Sequence, residues 1–298
     1  MALDAGLAID IISQAALKAF NAIIQPLSSF SMDMSKDAVG RVGDTIKFAW
    51  TPSGATVRKF GTTGTYVTEA PSQLPKELEI DQDPYVGFEY TDNQLATLSM
   101  MKLEEIGAQY GAALAEAVLA DIWSIVTAAN FPNSFVKAAA LYDSDEILDL
   151  GKKCTQLKWP KLGRNAIFNE DAYTELAKDP AVKNAAAAGG TEALREGRVP
   201  NLGTFEGLFE STEIPANAEN LIGFAVNREA IGIAFRPVDP DSSSQNVMRY
   251  EVYTNESGMT IAFKEWYDPK TKKTMRVLEC NYGRCVGNPA SLVRCVSA

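Results

Sequence analysis

The stretch Thr45-Ile-Lys-Phe-Ala-Trp50 puts Ile46, Phe48 and Trp50 on one side of an extended strand, because successive strand side chains alternate faces. The next strand-like run is Tyr85-Val-Gly-Phe-Glu-Tyr90, and between them stand Pro52, Gly54, Gly61, Gly64, Pro71 and Pro75 among threonines and valines. An excursion of this length is uncommon inside a globule and usually serves another molecule. Folded as two antiparallel halves of about a dozen residues, at ~3.3 Å per residue, it would reach on the order of 40 Å, beyond the radius of a compact domain of this size. Arg58, Lys59 and Glu69 in the arm, with Lys76 and Glu77 at its base, are therefore the candidate contacts to a neighbouring subunit.

After the arm, Leu103, Ile106, Tyr110, Leu114, Val118, Ile122 and Ile125 advance by three or four residues, which predicts one helix over 99–129, a rod of roughly 45 Å. Ser99 suits its N-cap, and Asn130-Phe-Pro132 ends it. Gly107, Ala108, Gly111, Ala112 and Ala113 keep one stretch thin, so another element can approach the backbone closely there. Upstream, Ile9, Ile12, Ala16, Leu17, Phe20, Ile23 and Ile24 predict an amphipathic helix over 7–25 that stops at Pro26. Its separation from the long helix by the arm points to docking on a neighbouring subunit, with an ordinary core helix as the alternative.

From residue 143 the pattern turns to α/β. Helices are expected over 145–157 and 170–178, the second capped by Asn169, with strands over 165–168, 220–226, 247–253 and 260–267. Asp268-Pro-Lys-Thr-Lys-Lys273 reads as a turn into a strand over 274–282, and the alternation in 280–296 reads as a final strand pair.

Composition removes most chemistry. The 298 residues carry 28 Lys plus Arg against 38 Asp plus Glu, a net charge of −10, and no histidine. Acidity opposes dedicated nucleic-acid recognition, which rests on neutralising phosphates, but leaves room for a wall that merely encloses packed nucleic acid. Without histidine there is no Ser-His-Asp triad, Cys-His pair or His-metal site. No Gly-rich nucleotide loop occurs. Asp143, Asp145, Glu146 and Asp149 sit where acids favour a helix start. Asp239, Asp241 and Ser242 to Ser244 form a polar loop that lacks the calcium-loop pattern. Lys264, Lys270, Lys272, Lys273 and Arg276 gather around one hairpin, either as a solvated turn or facing an acidic neighbour. Cys154, Cys280, Cys285 and Cys295 lack zinc-site spacing and are expected as reduced, partly buried thiols, with a disulfide near the C-terminus as the alternative. No catalytic residue, cofactor or metal site is expected. Nor is a signal peptide or a membrane span, since no apolar run approaches about 18 residues.

The order of parts, together with Gly43-Asp-Thr-Ile-Lys47, Val86-Gly-Phe-Glu-Tyr90, Arg164-Asn-Ala-Ile-Phe-Asn169, Asn201-Leu-Gly-Thr-Phe205 and Gly223-Phe-Ala-Val-Asn-Arg-Glu-Ala230, resembles the major capsid protein of tailed bacteriophages. The resemblance implies an α+β chain with the Hong Kong 97-type capsid fold: an N-terminal arm (1–42), an extended β-hairpin E-loop with its flanking strands (43–90), a peripheral domain with the spine helix (91–150), a mainly axial domain (151–250) and returning peripheral strands (251–298). It further implies self-assembly as pentamers and hexamers into an icosahedral virion shell enclosing double-stranded DNA, made in the host cytoplasm. Portal, scaffolding and decoration proteins are the implied partners, and contact with DNA is non-specific. Some relatives cross-link a Lys to an Asn; Lys59 and Lys76 lie in the arm, but no matching Asn and Glu can be assigned, so cross-linking is not expected. The alternatives are an encapsulin-type protein compartment, a soluble α/β enzyme using carboxylates or lysine, and a tail-tube or connector protein.

Overall fold

A computed structural model describes residues 5–34, 45–50, 74–91, 93–94, 100–180, 182, 202–237, 249–254 and 258–297. The N-terminal helix α1 (Ala5–Ile24) breaks at Pro26 into the short α2 (Leu27–Phe30) and strand β1 (Met32–Asp33). Its apolar stripe Ile12, Ala16, Phe20 and Ile24 is buried against the long helix α3 (Met100–Ser124). The expectation that this helix serves a neighbouring subunit is thereby corrected: it packs on its own chain. The small-residue stretch makes that possible. A Cβ at Gly107 would lie 2.5 Å from the Ile12 carbonyl oxygen, and one at Gly111 only 2.2 Å from that of Ala16. The two backbones touch, and only glycine leaves the space.

The periodicity predicts that α3 runs to residue 129, but the helix ends at Ser124; Ser99, the expected cap, lies outside the described residues. The amides of Ile125 and Val126 donate to Ile122 and Trp123, three residues back, so the helix tightens and the chain curls under itself. The apolar pattern survives the curl because Val126 and Phe131 enter the core all the same.

Three sheets lie along α3. In the first, β2 (Thr45–Trp50) pairs antiparallel with β3 (Leu74–Gln82), and the order is β1-β9-β13-β3-β2, with β9 spanning Ile231–Phe235 and β13 Tyr282–Val286. The arm thus leaves and re-enters along β2 and β3. Tyr85–Thr91 (β4), expected as its closing strand, belongs to the second sheet instead. That sheet runs β10-β11-β12-β4, where β10 is Arg249–Thr254, β11 Thr260–Asp268 and β12 Lys273–Glu279. The expected turn at 268–273 joins β11 to β12, with Asp268 accepting from the Lys270 amide.

The third sheet has the order β5-β14-β8-β6-β7, from Ser134–Val136 (β5), Leu292–Val296 (β14), Leu221–Asn227 (β8), Arg164–Phe168 (β6) and Gly207–Glu210 (β7). Both of its faces are covered, which is why β6 and β8 are buried at every position. Ile167, Phe224, Val226 and Leu292 point into the core around Trp123 and Phe30. Ala166, Phe168, Ala225, Val293 and Cys295 point to a second core under the helices α4 (Ser144–Gln156) and α5 (Glu170–Lys178). The caps of these helices are legible locally: Asp143 accepts from the Asp145 and Glu146 amides, and Asn169 from that of Ala172. The expected final strand pair is corrected, because β13 and β14 lie in different sheets, parted by a short 3-10 turn at Pro289–Ser291.

Helix α3 joins the three sheets. Tyr110 stacks on Phe88 of the second sheet with ring centroids 4.7 Å apart. Asp121 accepts from the Tyr282 hydroxyl at 2.6 Å and pairs with Arg284 at 2.6 Å on the first sheet. Trp123 meets Phe224 of the third sheet edge-on at 5.2 Å.

Candidate assembly surfaces

Of the five arm residues singled out in the sequence, Arg58, Lys59 and Glu69 fall outside the described residues. Lys76 and Glu77 lie on β3 and, being adjacent, face opposite ways. Lys76 shares the side of Leu78 and Ile80, and its charge reaches Cys285. Glu77 faces outward and pairs with Lys47 across the hairpin at 3.1 Å, with both side chains more than half exposed. An exposed pair of this kind adds little stability, so its carboxylate is free to exchange partners.

The cations around the β11–β12 turn have partners within the chain. Lys264 pairs with Glu279 at 2.5 Å, Lys273 with Glu89 at 2.5 Å, and Arg276 with Glu265 at 3.0 Å. The last pair is buried. Its Arg276 guanidinium lies 5.7 Å from the Tyr90 ring centroid, and among the described residues its two terminal nitrogens find no hydrogen-bond acceptor. Burial pushes the Glu265 carboxyl up against the pull of Arg276, and lowers Arg276 against the pull of Glu265. For both groups the loss of water outweighs the pull of the partner on the proton.

Arg164 is buried with no carboxylate partner among the described residues. Its guanidinium donates to the Pro160 and Trp159 carbonyls at 2.7 and 2.6 Å, and to the Thr155 and Thr204 hydroxyls at 3.0 and 3.1 Å. It ties α4, β6 and the 202–206 turn into one unit. A charged residue opening the apolar run Asn-Ala-Ile-Phe was the sequence signal for such a hub, as Arg294 was within Leu-Val-Arg-Cys-Val.

Nothing among the described residues assembles into reactive chemistry. The carboxylates at the α4 start are structural: Asp143 is a cap, and Glu146 pairs with Lys137 at 2.5 Å. Burial pushes the Cys154 and Cys295 thiols up to about 12 and Cys285 to about 11, and raises Cys280 further, which leaves poor nucleophiles and poor metal ligands. Among the described residues no three His, Cys, Asp or Glu side chains gather as a metal site, and no helix is long and apolar enough to cross a membrane. The polar loop at 239–244 lies outside the described residues.

What the surface does offer is contact area. An open groove of about 650 Å³ runs between α1 and α3, floored by Ile11, Ala15, Ala19 and Ala108 and edged by Lys18, Glu104 and Glu105. Large apolar side chains stand in solvent at Tyr85 (70% exposed) and Leu162 (79%), and at Val136, Leu141 and Leu148 around the start of α4.

No family model and no curated protein matches the chain. Solved structures do. The capsid structure of the cyanophage P-SCSP1u aligns with a TM-score of 0.60 at 16% identity, over 90% of this chain and 86% of that one. A structure from Mycobacterium phage Che8 aligns at 0.54 and 18% identity, over 85% and 84%. A virus-like particle from Pyrococcus furiosus aligns at 0.51 and 13% identity, over 95% and 97%. The chain has the Hong Kong 97-type capsid fold, an α+β architecture, over nearly its whole length.

Proposed function

We propose that this chain is the major capsid protein of a tailed bacteriophage, a structural protein whose copies assemble as pentamers and hexamers into an icosahedral shell around double-stranded DNA. The observation that carries the reading is coverage. The cyanophage capsid structure aligns over 90% of this chain and 86% of its own, with few residues left over for another task.

In this reading residues 51–76 form the E-loop, lying over an adjacent subunit with Arg58, Lys59, Glu69, Lys76 and Glu77 at the contact. Residues 91–150 carry the spine of the peripheral domain, 151–250 are mainly the axial domain, and 251–298 return to the periphery except for Leu292–Val296, which pairs with β8 inside the third sheet. An overlapping arm raises the area buried between subunits without enlarging the core, and closed symmetry repeats every contact. Portal, scaffolding and decoration proteins complete the virion, and DNA meets the wall without sequence preference. The subunit is made in the host cytoplasm.

The likeness to the Pyrococcus virus-like particle supports a second reading, a protein compartment of the same fold that holds something other than DNA. Negative-stain microscopy of the expressed chain tests both. Polyhedral shells or capsomer rings are expected, and nuclease-protected DNA inside shells from infected or lysogenic cells selects the phage reading. A lone monomer at every salt concentration would overturn both.

A further inference from the structure

Just beyond α3 the chain is tied to the third sheet by a group of polar contacts. Glu219, in the turn before β8, accepts the Ala128 amide at 2.8 Å through Oε1 and receives Arg294 of β14 at Oε2. Arg294 in turn donates through Nε to the Phe131 carbonyl at 2.7 Å. Asn217 donates through Nδ2 to the carbonyl of Val126, two residues past the helix end, at 2.6 Å. The turn delivers these groups at a conformational cost. Asn217, Ala218 and Asn220 have φ of 48°, 57° and 52°, three left-handed residues within four positions and none of them glycine. Asparagine tolerates this region, but alanine has no side-chain bond to compensate for its Cβ. Ala218 is exposed, so packing does not impose its conformation.

We propose that residues 216–220 form a spring-loaded clasp that fastens the chain just beyond the long helix to the third sheet and opens as a unit while the core stays packed. Two features separate it from ordinary packing. Its contacts are polar, so opening exposes little apolar surface. Its backbone relaxes when it opens, because the three residues can return to negative φ. In a closed shell, and here the inference rests on the capsid reading, that fastening lies where the peripheral and axial parts of a subunit meet and limits how far one can bend against the other. The clasp would then govern shell curvature.

Hydrogen exchange on the purified full chain tests the clasp with Ala218→Gly and Glu219→Gln. Ala218→Gly relieves the strain and should slow exchange of the Ala128 amide, which Glu219 accepts, about fivefold. Glu219→Gln removes the charge facing Arg294 and should speed it about tenfold. Exchange in α4 and at the core amide of Phe131 should stay unchanged in both. If the Ala128 amide follows α4 in every variant, or if Ala218→Gly does not slow it, the clasp is refuted; should Glu219→Gln fail to fold, the glycine variant decides the matter by itself. Shell diameters test the curvature step: a broadened distribution for Glu219→Gln supports it, and wild-type diameters refute it. Failure of the wild-type chain to form shells would instead count against the capsid reading, while the exchange result still decides the clasp.

Discussion

Replacing Gly111 by alanine should loosen the contact between α1 and α3. On helix propensity alone the change is favourable by about 1 kcal/mol. The added Cβ, however, would lie 2.2 Å from the Ala16 carbonyl oxygen and 2.7 Å from the Ala16 Cα and carbonyl carbon. These are backbone atoms and cannot rotate away, so the helices must part by roughly 1 Å, and overpacking of this kind costs typically 1–3 kcal/mol or more. Separation also loosens Ile12, Phe20 and Ile24, which are buried in the same seam. A net loss of about 2 kcal/mol is expected, or roughly 4–8 °C in Tm at about 2–4 °C per kcal/mol. Urea unfolding of the dispersed subunit, followed by tryptophan fluorescence, reads it directly, since Trp123 lies in the same core. Ala16→Gly should not rescue the variant, because the clash is with the backbone of residue 16. A rise in stability for Gly111→Ala would refute the close approach.

Replacing residues 51–73 by Asn-Gly should leave a soluble, folded subunit, because Trp50 and Leu74 are already paired and a two-residue turn can join them; normal closed shells from it, seen by microscopy, would refute the arm's role. Arg164→Met should cost about 3–5 kcal/mol in urea unfolding, since it orphans buried carbonyl and hydroxyl acceptors, and a loss under about 1 kcal/mol would deny the hub. Because the folded Glu265 carboxyl is raised above its ordinary 4.5, the folded state binds that proton more tightly than the unfolded chain, a contribution present below 4.5 and lost as pH rises through the folded value. The wild type should therefore gain stability relative to Glu265→Gln as pH falls from neutrality toward 4.5, read from urea midpoints, and a widening deficit would contradict the sign. With a net charge of −10 per chain, shell yield by light scattering should rise as salt screens repulsion, and a steady fall would mean that attractive ion pairs dominate.

What the sequence made legible was local or periodic. The stripe from Leu103 to Ile122, the Asn169 cap, the acids at the start of α4 and the Asp268 turn each depend on neighbours within a few residues, and each stands where the pattern puts it, Asp143 among the acids serving as the cap itself. The space at Gly107 and Gly111 was legible too, although not what filled it. Alternation shows that a strand exists but not its partner, so the pattern assigns Tyr85–Thr91 to the arm and the closing strands to each other. Leu74–Gln82 escapes the pattern because Pro75, Lys76 and the acids Glu77, Glu79 and Asp81 mask its alternation, and Pro75 is tolerated near the start of the strand. The tie at Glu219–Arg294 joins residues 75 positions apart and one arm of Arg164 reaches Thr204, 40 positions on, distances no spacing rule covers; Glu265–Arg276 spans only the β11–β12 hairpin, where strand pairing and not residue type decides which charges meet.

The third sheet also imposes a timetable. Strand β14 sits between β5 and β8, so a sheet begun near residue 134 cannot close until residue 296 has been made. At about 5–20 residues per second, some 160 intervening residues take on the order of 10 s. A truncated product from a nonsense codon or an aborted ribosome lacks the strand that bridges the sheet. Such fragments should be cleared by proteolysis, and in the proposed shell the topology would then act as quality control on which copies can join.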